Sequence, residues 1–295
     1  MLGSAAGGGF PQWNCGCTNC SGLRAGTVRA RARTQESVAV SGDGEYWFLL
    51  NASPEIRAQI ESFAPLWPRA KRHSPVSGVL LTNGDLDHVL GLLSLRESHP
   101  IQVWSTAAVR GGFAEGNPLY ATLERFPAQV RWHALELGRE IALCSGLFAT
   151  ALAIPGKLPL HLERTHAASP EDNVGLRIRD ARTGGVLAYL PAVAGPSSAV
   201  EAAVAGADCT CFDGTFWSSD ELVAAGLGTR RAEDMAHWPV GGATGSLEFL
   251  AKLPGRRILI HVNNTNPLLR EDGAELAAAR AAGVEVAHDG LELAL

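Results

Sequence analysis

The chain has 295 residues, 46% hydrophobic and 19% charged, with a net charge of −5. That supplies enough apolar material for one large core or two small ones. The mild acidity argues against the basic face that nucleic-acid binding needs. No run approaches the roughly 18 apolar residues of a membrane span. The N-terminus has neither a charged n-region nor an apolar h-region, so a cytoplasmic protein without a membrane partner is expected.

In chain order, residues 3–9 read Gly-Ser-Ala-Ala-Gly-Gly-Gly, a tight backbone passage. Phe10-Pro11 follows where a phosphate loop would need Lys-Ser/Thr. Cys15-Gly16-Cys17-Thr18-Asn19-Cys20 comes next. Ser37–Val40 and Tyr46–Leu50 flank Gly42-Asp43-Gly44, a hairpin signal. Ser53 and Pro54 predict a capped helix start running to about Phe63. Val79-Leu80-Leu81 is a buried strand that ends in Thr82-Asn83-Gly84-Asp85-Leu86-Asp87-His88, with a helix behind it.

Further strands are predicted at Ile101–Trp104, within Leu143–Ile154, and at Val174–Ile178, Val186–Leu190, Ala207–Asp213 and Ile258–Val262. Helices are predicted at 197–205, 244–252 and 271–282, the last closed by Gly283. There is no repeat and no low-complexity linker. The pattern predicts a single α/β domain over 1–295, two packed sheets with helices outside.

Asp87 and His88 stand side by side at a strand end, where α/β proteins place chemistry. His261 follows the buried run Ile258-Leu259-Ile260. The stretch Asn83-x-Asp85-x-Asp87-His88 resembles the His-x-His-x-Asp-His motif of the metallo-β-lactamase superfamily, with Asn83 and Asp85 in the first two His positions. The resemblance implies that Asp87, His88 and His261 hold one of two metals. The other metal would need His at 83 and 85 and a bridging Asp after a later strand. Val186–Leu190 runs instead into Pro191-Ala192. One site is therefore expected intact and the other stripped.

Two His and one carboxylate with open positions form the facial triad of non-haem Fe(II) oxygenases. Two-metal hydrolysis needs a clamp on both the attacking and leaving oxygens, which half a site lacks. One-zinc hydrolysis stays open. The plain structural alternative is that both histidines are satisfied core residues and Asp87 is a helix cap. Asp85 is a candidate to orient a ligand, contact a substrate amine or add a ligand. His237, in a loop before the helix 244–252, is a candidate general acid or substrate contact, against the alternative of a surface-loop His. His161 and His166 could supply a missing ligand. His73, His99, His133 and His288 carry no signal.

Cys15, Cys17 and Cys20 are spaced so that three thiolates face one tetrahedral zinc, which structural sites close with a fourth protein ligand. Asn264 is one candidate for that ligand. Cys209, Cys211 or another His are the others.

The Gly3–Cys15 block, the cysteine triplet, the Asn83–His88 stretch and His261-Val262-Asn263-Asn264-Thr265-Asn266-Pro267 together resemble the pyrroloquinoline quinone (PQQ) biosynthesis protein B family. The resemblance spans nearly the whole chain. It implies the metallo-β-lactamase αββα sandwich. It also implies iron- and dioxygen-dependent hydroxylation of the tyrosine ring of a Glu–Tyr-derived precursor. An alternative for the family is transport of PQQ or its precursor. Relatives begin with a strand before the Gly-rich passage. Only Met1-Leu2 stands there in this chain, so a truncated first strand is expected. The expected partners are a small-molecule or dipeptide-like substrate and dioxygen, and the sequence does not oppose a homodimer. A zinc hydrolase and a non-catalytic carrier are the competing functions.

Overall fold

The computed structural model describes residues 1–97 and 99–295. Twelve strands form two sheets. They are β1 (Val38–Ser41), β2 (Trp47–Leu50), β3 (Val76–Leu80), β4 (Ile101–Ser105), β5 (Val130–Ala134), β6 (Glu140–Ala142), β7 (Leu147–Ala153), β8 (Val174–Asp180), β9 (Val186–Leu190), β10 (Cys209–Asp213), β11 (Arg256–Ile260) and β12 (Val284–Val286). The first sheet has the order β1-β2-β3-β4-β5 and the second β12-β11-β10-β9-β8-β7-β6. Strands β2 to β5 run parallel, as do β9 to β12.

Alternation along the strands builds three apolar layers, because successive side chains point to opposite faces. Phe48, Leu50 and Leu80 of the first sheet face Leu176, Ile178, Tyr189, Cys211, Ile258 and Ile260 of the second. Leu49, Val79, Leu81 and Val103 point outward and pack under Ile56, Leu92, Val109 and Phe113 from short helices. On the far side, Ala188, Leu190, Phe212 and Leu259 pack under Val200, Leu250 and Ala279, from the helices at 198–204, 246–250 and 274–281. Helix, sheet, sheet, helix is the expected αββα sandwich. No described helix is long and apolar enough to cross a membrane.

Most predicted elements stand where expected, with trimmed ends. The hairpin at 42–44 forms, and Asp43 Oδ1 accepts from Glu45 N at 2.8 Å and Tyr46 N at 3.0 Å. The helix after β2 differs. It spans Ile56–Ser62 with Glu55 in the cap position. Ser53 does not cap it, because its buried hydroxyl donates to Gln59 Oε1 at 3.0 Å. Strands β5, β6 and β12 are not expected from the sequence pattern: β6 and β12 span only three residues each, and β5, though it alternates, lies at the sheet edge and is largely exposed.

The sequence before β1 does not form a full strand. It threads between two elements in isolated bridges, Gly3 with Ser37 and Ala5 with both Gln35 and Val262. Ser4 O accepts from Val262 N at 3.0 Å, and Val262 O accepts from Ala6 N at 3.0 Å.

Leu80 is fully buried between the sheets. Leu80→Ala is expected to cost about 2–5 kcal/mol, from lost transfer energy and the cavity left behind. Urea unfolding followed by circular dichroism measures it.

Candidate metal centre

The ends of parallel strands face one edge of the sandwich, the place where open α/β sheets gather ligand-binding groups. Asn51 follows β2, Asn83 to His88 follow β3, Asp213 ends β10 and His261 follows β11. His261 adopts φ 56°, a left-handed conformation costly for a side-chain-bearing residue. The Val262 pairing with Ser4 and Ala6 holds the backbone just beyond this turn.

Asp87, His88 and His261 converge as expected, with donor atoms within 4.8 Å of one another. His261 Nε2 lies 3.1 Å from Asp87 Oδ2. Asp87 Oδ2 lies 3.9 Å from His88 Nε2. The ring centres of His88 and His261 are 5.2 Å apart.

Each imidazole is oriented through its other nitrogen. His88 Nδ1 donates to Asn83 Oδ1 at 2.8 Å, which leaves Nε2 bare. That buried nitrogen has no hydrogen-bond partner among the described residues. An orphaned buried lone pair fits a metal ligand and is otherwise costly. His261 Nδ1 donates to Thr215 Oγ1 at 2.8 Å, and Thr215 in turn donates to Asp213 Oδ1 at 2.6 Å. Such outer partners fix the tautomer of a metal-binding His. Asn83 is thus no ligand remnant but the acceptor that aims His88. Its Oδ1 also takes the Asp85 N–H at 3.0 Å.

Positions 83 and 85 lack histidine as read from the sequence, but a buried Asp does stand at a later strand end. Asp213, buried at the end of β10, gathers with His237 and His261. His237 Nδ1 donates to Asp213 Oδ2 at 2.7 Å, and its ring stacks on His261 with centres 5.5 Å apart. Asp213 also accepts from Val193 N and Thr215 N. With both oxygens doubly occupied, its geometry offers orientation of two histidines. The sequence signal existed: Phe212-Asp213-Gly214-Thr215 closes a buried strand with a polar side chain, as Asp87 follows β3. The late Asp therefore ends β10, one strand beyond the β9 end where the sequence shows Pro191-Ala192.

Charges follow the geometry. Burial holds His88 down to about 4, so it is neutral at pH 7. Burial alone would lower His261, but its hydrogen bond and charge pairing with Asp87 lift it to about 9. Burial would raise Asp87, yet the neighbouring imidazoles hold it well below the usual carboxylate range. Asp85, half-buried at the rim, is pushed up to about 6 by burial and then by Asp87. Gly7 from the N-terminal passage lies against this group, and a Cβ there would sit 3.3 Å from Asp87 Oδ2. His161 and His166 are exposed on the 155–172 loop, facing Gly112 O and Thr165, and do not join the cluster.

A second cluster lies beside the first. The Cys15, Cys17 and Cys20 sulfurs surround the Asn264 amide at 3.2, 3.6 and 3.3 Å. The amide nitrogen and oxygen are interchangeable by a flip, so Oδ1 can face the same point. Cys209 and Cys211 lie instead in the inter-sheet core, which removes them as fourth ligands.

A two-sheet sandwich with His and Asp donors gathered at its strand ends is the architecture of the β-lactamase superfamily, and a family model described as Beta-lactamase superfamily domain matches residues 46–262. Coenzyme PQQ synthesis protein B of Azotobacter vinelandii is 46% identical over 100% of this chain and 99% of its own length. That of Pseudomonas fluorescens is 45% identical over the same shares. The zinc-bound crystal structure of PqqB from Methylobacterium extorquens superposes with a TM-score of 0.94 at 45% identity, covering 100% of this chain and 98% of that one. A diphosphatase of the PhnP family shares the fold at TM-score 0.68 and 21% identity, over 100% of this chain and 96% of its own. The chain belongs to the coenzyme PQQ synthesis protein B family of the β-lactamase superfamily.

Two expectations follow. Asn83→Ala frees His88 to rotate and is expected to weaken metal binding about 10–100-fold with the fold intact, read by chelator competition and circular dichroism. On the reading that His261 Nε2 is a ligand, an incoming metal displaces the proton on it. Below about pH 9 that nitrogen is protonated, so binding at pH 7 releases a proton and affinity rises about tenfold per pH unit. Calorimetry in buffers of different ionisation enthalpy counts the proton.

Proposed function

We propose that this protein acts in PQQ synthesis as an iron- and dioxygen-dependent hydroxylase of the tyrosine ring of a Glu–Tyr-derived precursor. The observation that carries the reading is the donor set itself. Two imidazole nitrogens and one carboxylate face a common point, with Asn83 turned away as an acceptor. Two His and one carboxylate suit Fe(II) with open positions. Membership of the PQQ synthesis protein B family supports the pathway. Iron(II) held by Asp87, His88 and His261 would supply activation of dioxygen. In the balanced reaction a ring C–H becomes C–OH. The second oxygen atom leaves as water, with two electrons and two protons from an external reductant.

The chain's own residues divide the remaining work. His237, with Nδ1–H held by Asp213, offers Nε2 for proton exchange with the substrate phenol. Asp85, at the rim, suits a substrate amine. Gly7 leaves room beside Asp87 for a ligand. Cys15, Cys17, Cys20 and Asn264 are read as a structural zinc site that fastens the N-terminal loop to the loop carrying His261.

A zinc-dependent hydrolase is the second reading, favoured by the zinc in the Methylobacterium extorquens relative. It requires turnover of an ester, lactone or phosphodiester without oxygen. A carrier would bind PQQ or its precursor without turnover.

Protein reconstituted anaerobically with Fe(II), then given oxygen and an external reductant, is expected to take up oxygen and add one oxygen atom to a Glu–Tyr substrate. Asp87→Ala and His261→Ala are each expected to reduce both to background. Oxygen electrode and mass spectrometry read the result. Absence of both uptake and product in the iron-loaded wild type rejects the hydroxylase reading.

A further inference from the structure

A cavity of about 360 Å³ lies beside the metal centre, within the roughly 300–1,000 Å³ that ligand sites span. Its lining carries two charged side chains among the described residues, Lys157 and Asp172. Ser169, Ser197 and Asn173 add polar groups, and most of the rest is small or apolar. Neither charge is fully partnered. Lys157 has one carboxylate within 4.0 Å among the described residues, Glu163 at 3.9 Å, beyond hydrogen-bond range. Asp172 is buried, and its Oδ2 accepts from Ser169 N at 2.5 Å. Its other oxygen carries no hydrogen bond from the described residues. Lys157 and Asp172 form no ion pair with each other, so the cavity holds the two charges apart. The Ser169 and Ser197 hydroxyls accept from Glu171 N and Val200 N, both at 3.2 Å, which leaves each O–H free to donate.

Position ties the cavity to the metal centre. Asn173 forms part of its wall, and Asn173 Oδ1 accepts from Asn83 Nδ2 at 3.3 Å. Asn83 is the residue that aims His88, so two side chains stand between the cavity and that imidazole. The stretch 156–159 is laid against the same segment at two close approaches. A Cβ on Gly156 would sit 2.5 Å from Asn173 Cβ, and one on Gly84 would sit 2.9 Å from Pro159 Cγ. Lys157 stands between these two contacts, over the segment that leads to Asp87.

A cation and an anion held apart, with hydroxyl donors beside them, match the carboxylate and ammonium of an α-amino acid. Each contact is a charge-assisted hydrogen bond, roughly twice as strong as a neutral one. A ligand lacking either group leaves one charge of the cavity without a partner, which costs affinity. Resting on the reading that a Glu–Tyr-derived precursor is hydroxylated at the metal, we propose that this cavity seats its glutamyl end, with Lys157 binding the α-carboxylate and Asp172 the α-ammonium. The tyrosyl ring is then left to reach the metal on the other side of Asn83. Both α groups of the glutamyl unit must be free, so the two residues are joined through their side chains and not by a peptide bond. Free tyrosine leaves the cavity empty.

The test is calorimetric titration of the zinc-loaded full chain with three probes. They are L-glutamate, glutarate, which lacks the α-ammonium, and 4-aminobutyrate, which lacks the α-carboxylate. Wild type is expected to bind glutamate about tenfold or more tighter than either. Lys157→Gln is expected to erase the preference over 4-aminobutyrate and keep that over glutarate. Asp172→Asn is expected to do the reverse. Equal affinity for the three probes in wild type overturns the proposal. A preference that survives in both variants also overturns it, since glutamate then sits on the zinc. A variant that weakens all three probes alike overturns it too, as a merely structural role would do that. Should Asp172→Asn fail to fold, Lys157→Gln decides alone by the same criteria. Oxygen uptake by the iron-loaded protein runs alongside. Uptake without these preferences rejects this proposal alone; the preferences without uptake reject the hydroxylase reading and leave an amino-acid site.

Discussion

Segment 3–6 is the constraint on which the site depends. It lies between the stretch before β1 and Val262, hydrogen-bonded to Thr34 and Ser37 on one side and to Val262 on the other. This one insertion bridges the two sheets at the edge where Asp87, His88 and His261 gather. It holds the chain directly after His261, whose left-handed turn would otherwise relax. It sets Gly7 against Asp87. It then delivers Cys15, Cys17 and Cys20 to Asn264, three residues beyond His261 in the same loop. Asn19 reinforces the seam by donating to Asn264 O at 3.1 Å and Asn266 O at 3.0 Å.

Around that frame, the site is built by orienting nitrogens rather than by adding ligands. Asn83 holds His88, Thr215 holds His261 and Asp213 holds His237, each through Nδ1. Asp213 supports two of the three, one directly and one through the Thr215 hydroxyl. The three histidines therefore share a tautomer imposed from outside the cluster. Loss of the histidine motif at positions 83 and 85 has not left a gap. Asn83 has become part of the support for His88.

The sequence made the fold legible where burial was strongest. The strands β3, β9, β10 and β11 are short apolar runs ending in polar side chains, and that contrast marks both the element and its functional end. Asp87, His88 and His261 were readable for this reason, and the cysteine triplet was readable from spacing alone. Asp213 carries the same mark, but it ends β10 and does not follow Val186–Leu190, and nothing local in the sequence distinguishes the two strand ends. Glu36, buried with its Oε2 3.9 Å from His88 Nε2, carries no mark at all. It sits between Gln35 and Ser37 before a strand, and only the folding of Tyr189 and Asn51 around it, residues 153 and 15 positions away, turns a surface-type residue into a buried one. Asn264 could be nominated from its place after His261, but its position among three sulfurs depends on the closure of segment 3–6.

The long reach of that segment also sets an order of events. Ala6 pairs with Val262, so residues 256 positions apart must meet before His261 is fixed. Contacts this distant in sequence form late, because the loop-closure entropy must be met before they contribute. The strand ahead of Asn83 and Asp87 can form while the remainder is still being synthesised, but the cluster that includes His261 cannot. On the reading that Asp87, His88 and His261 hold the metal, its capture would follow the closure of this segment.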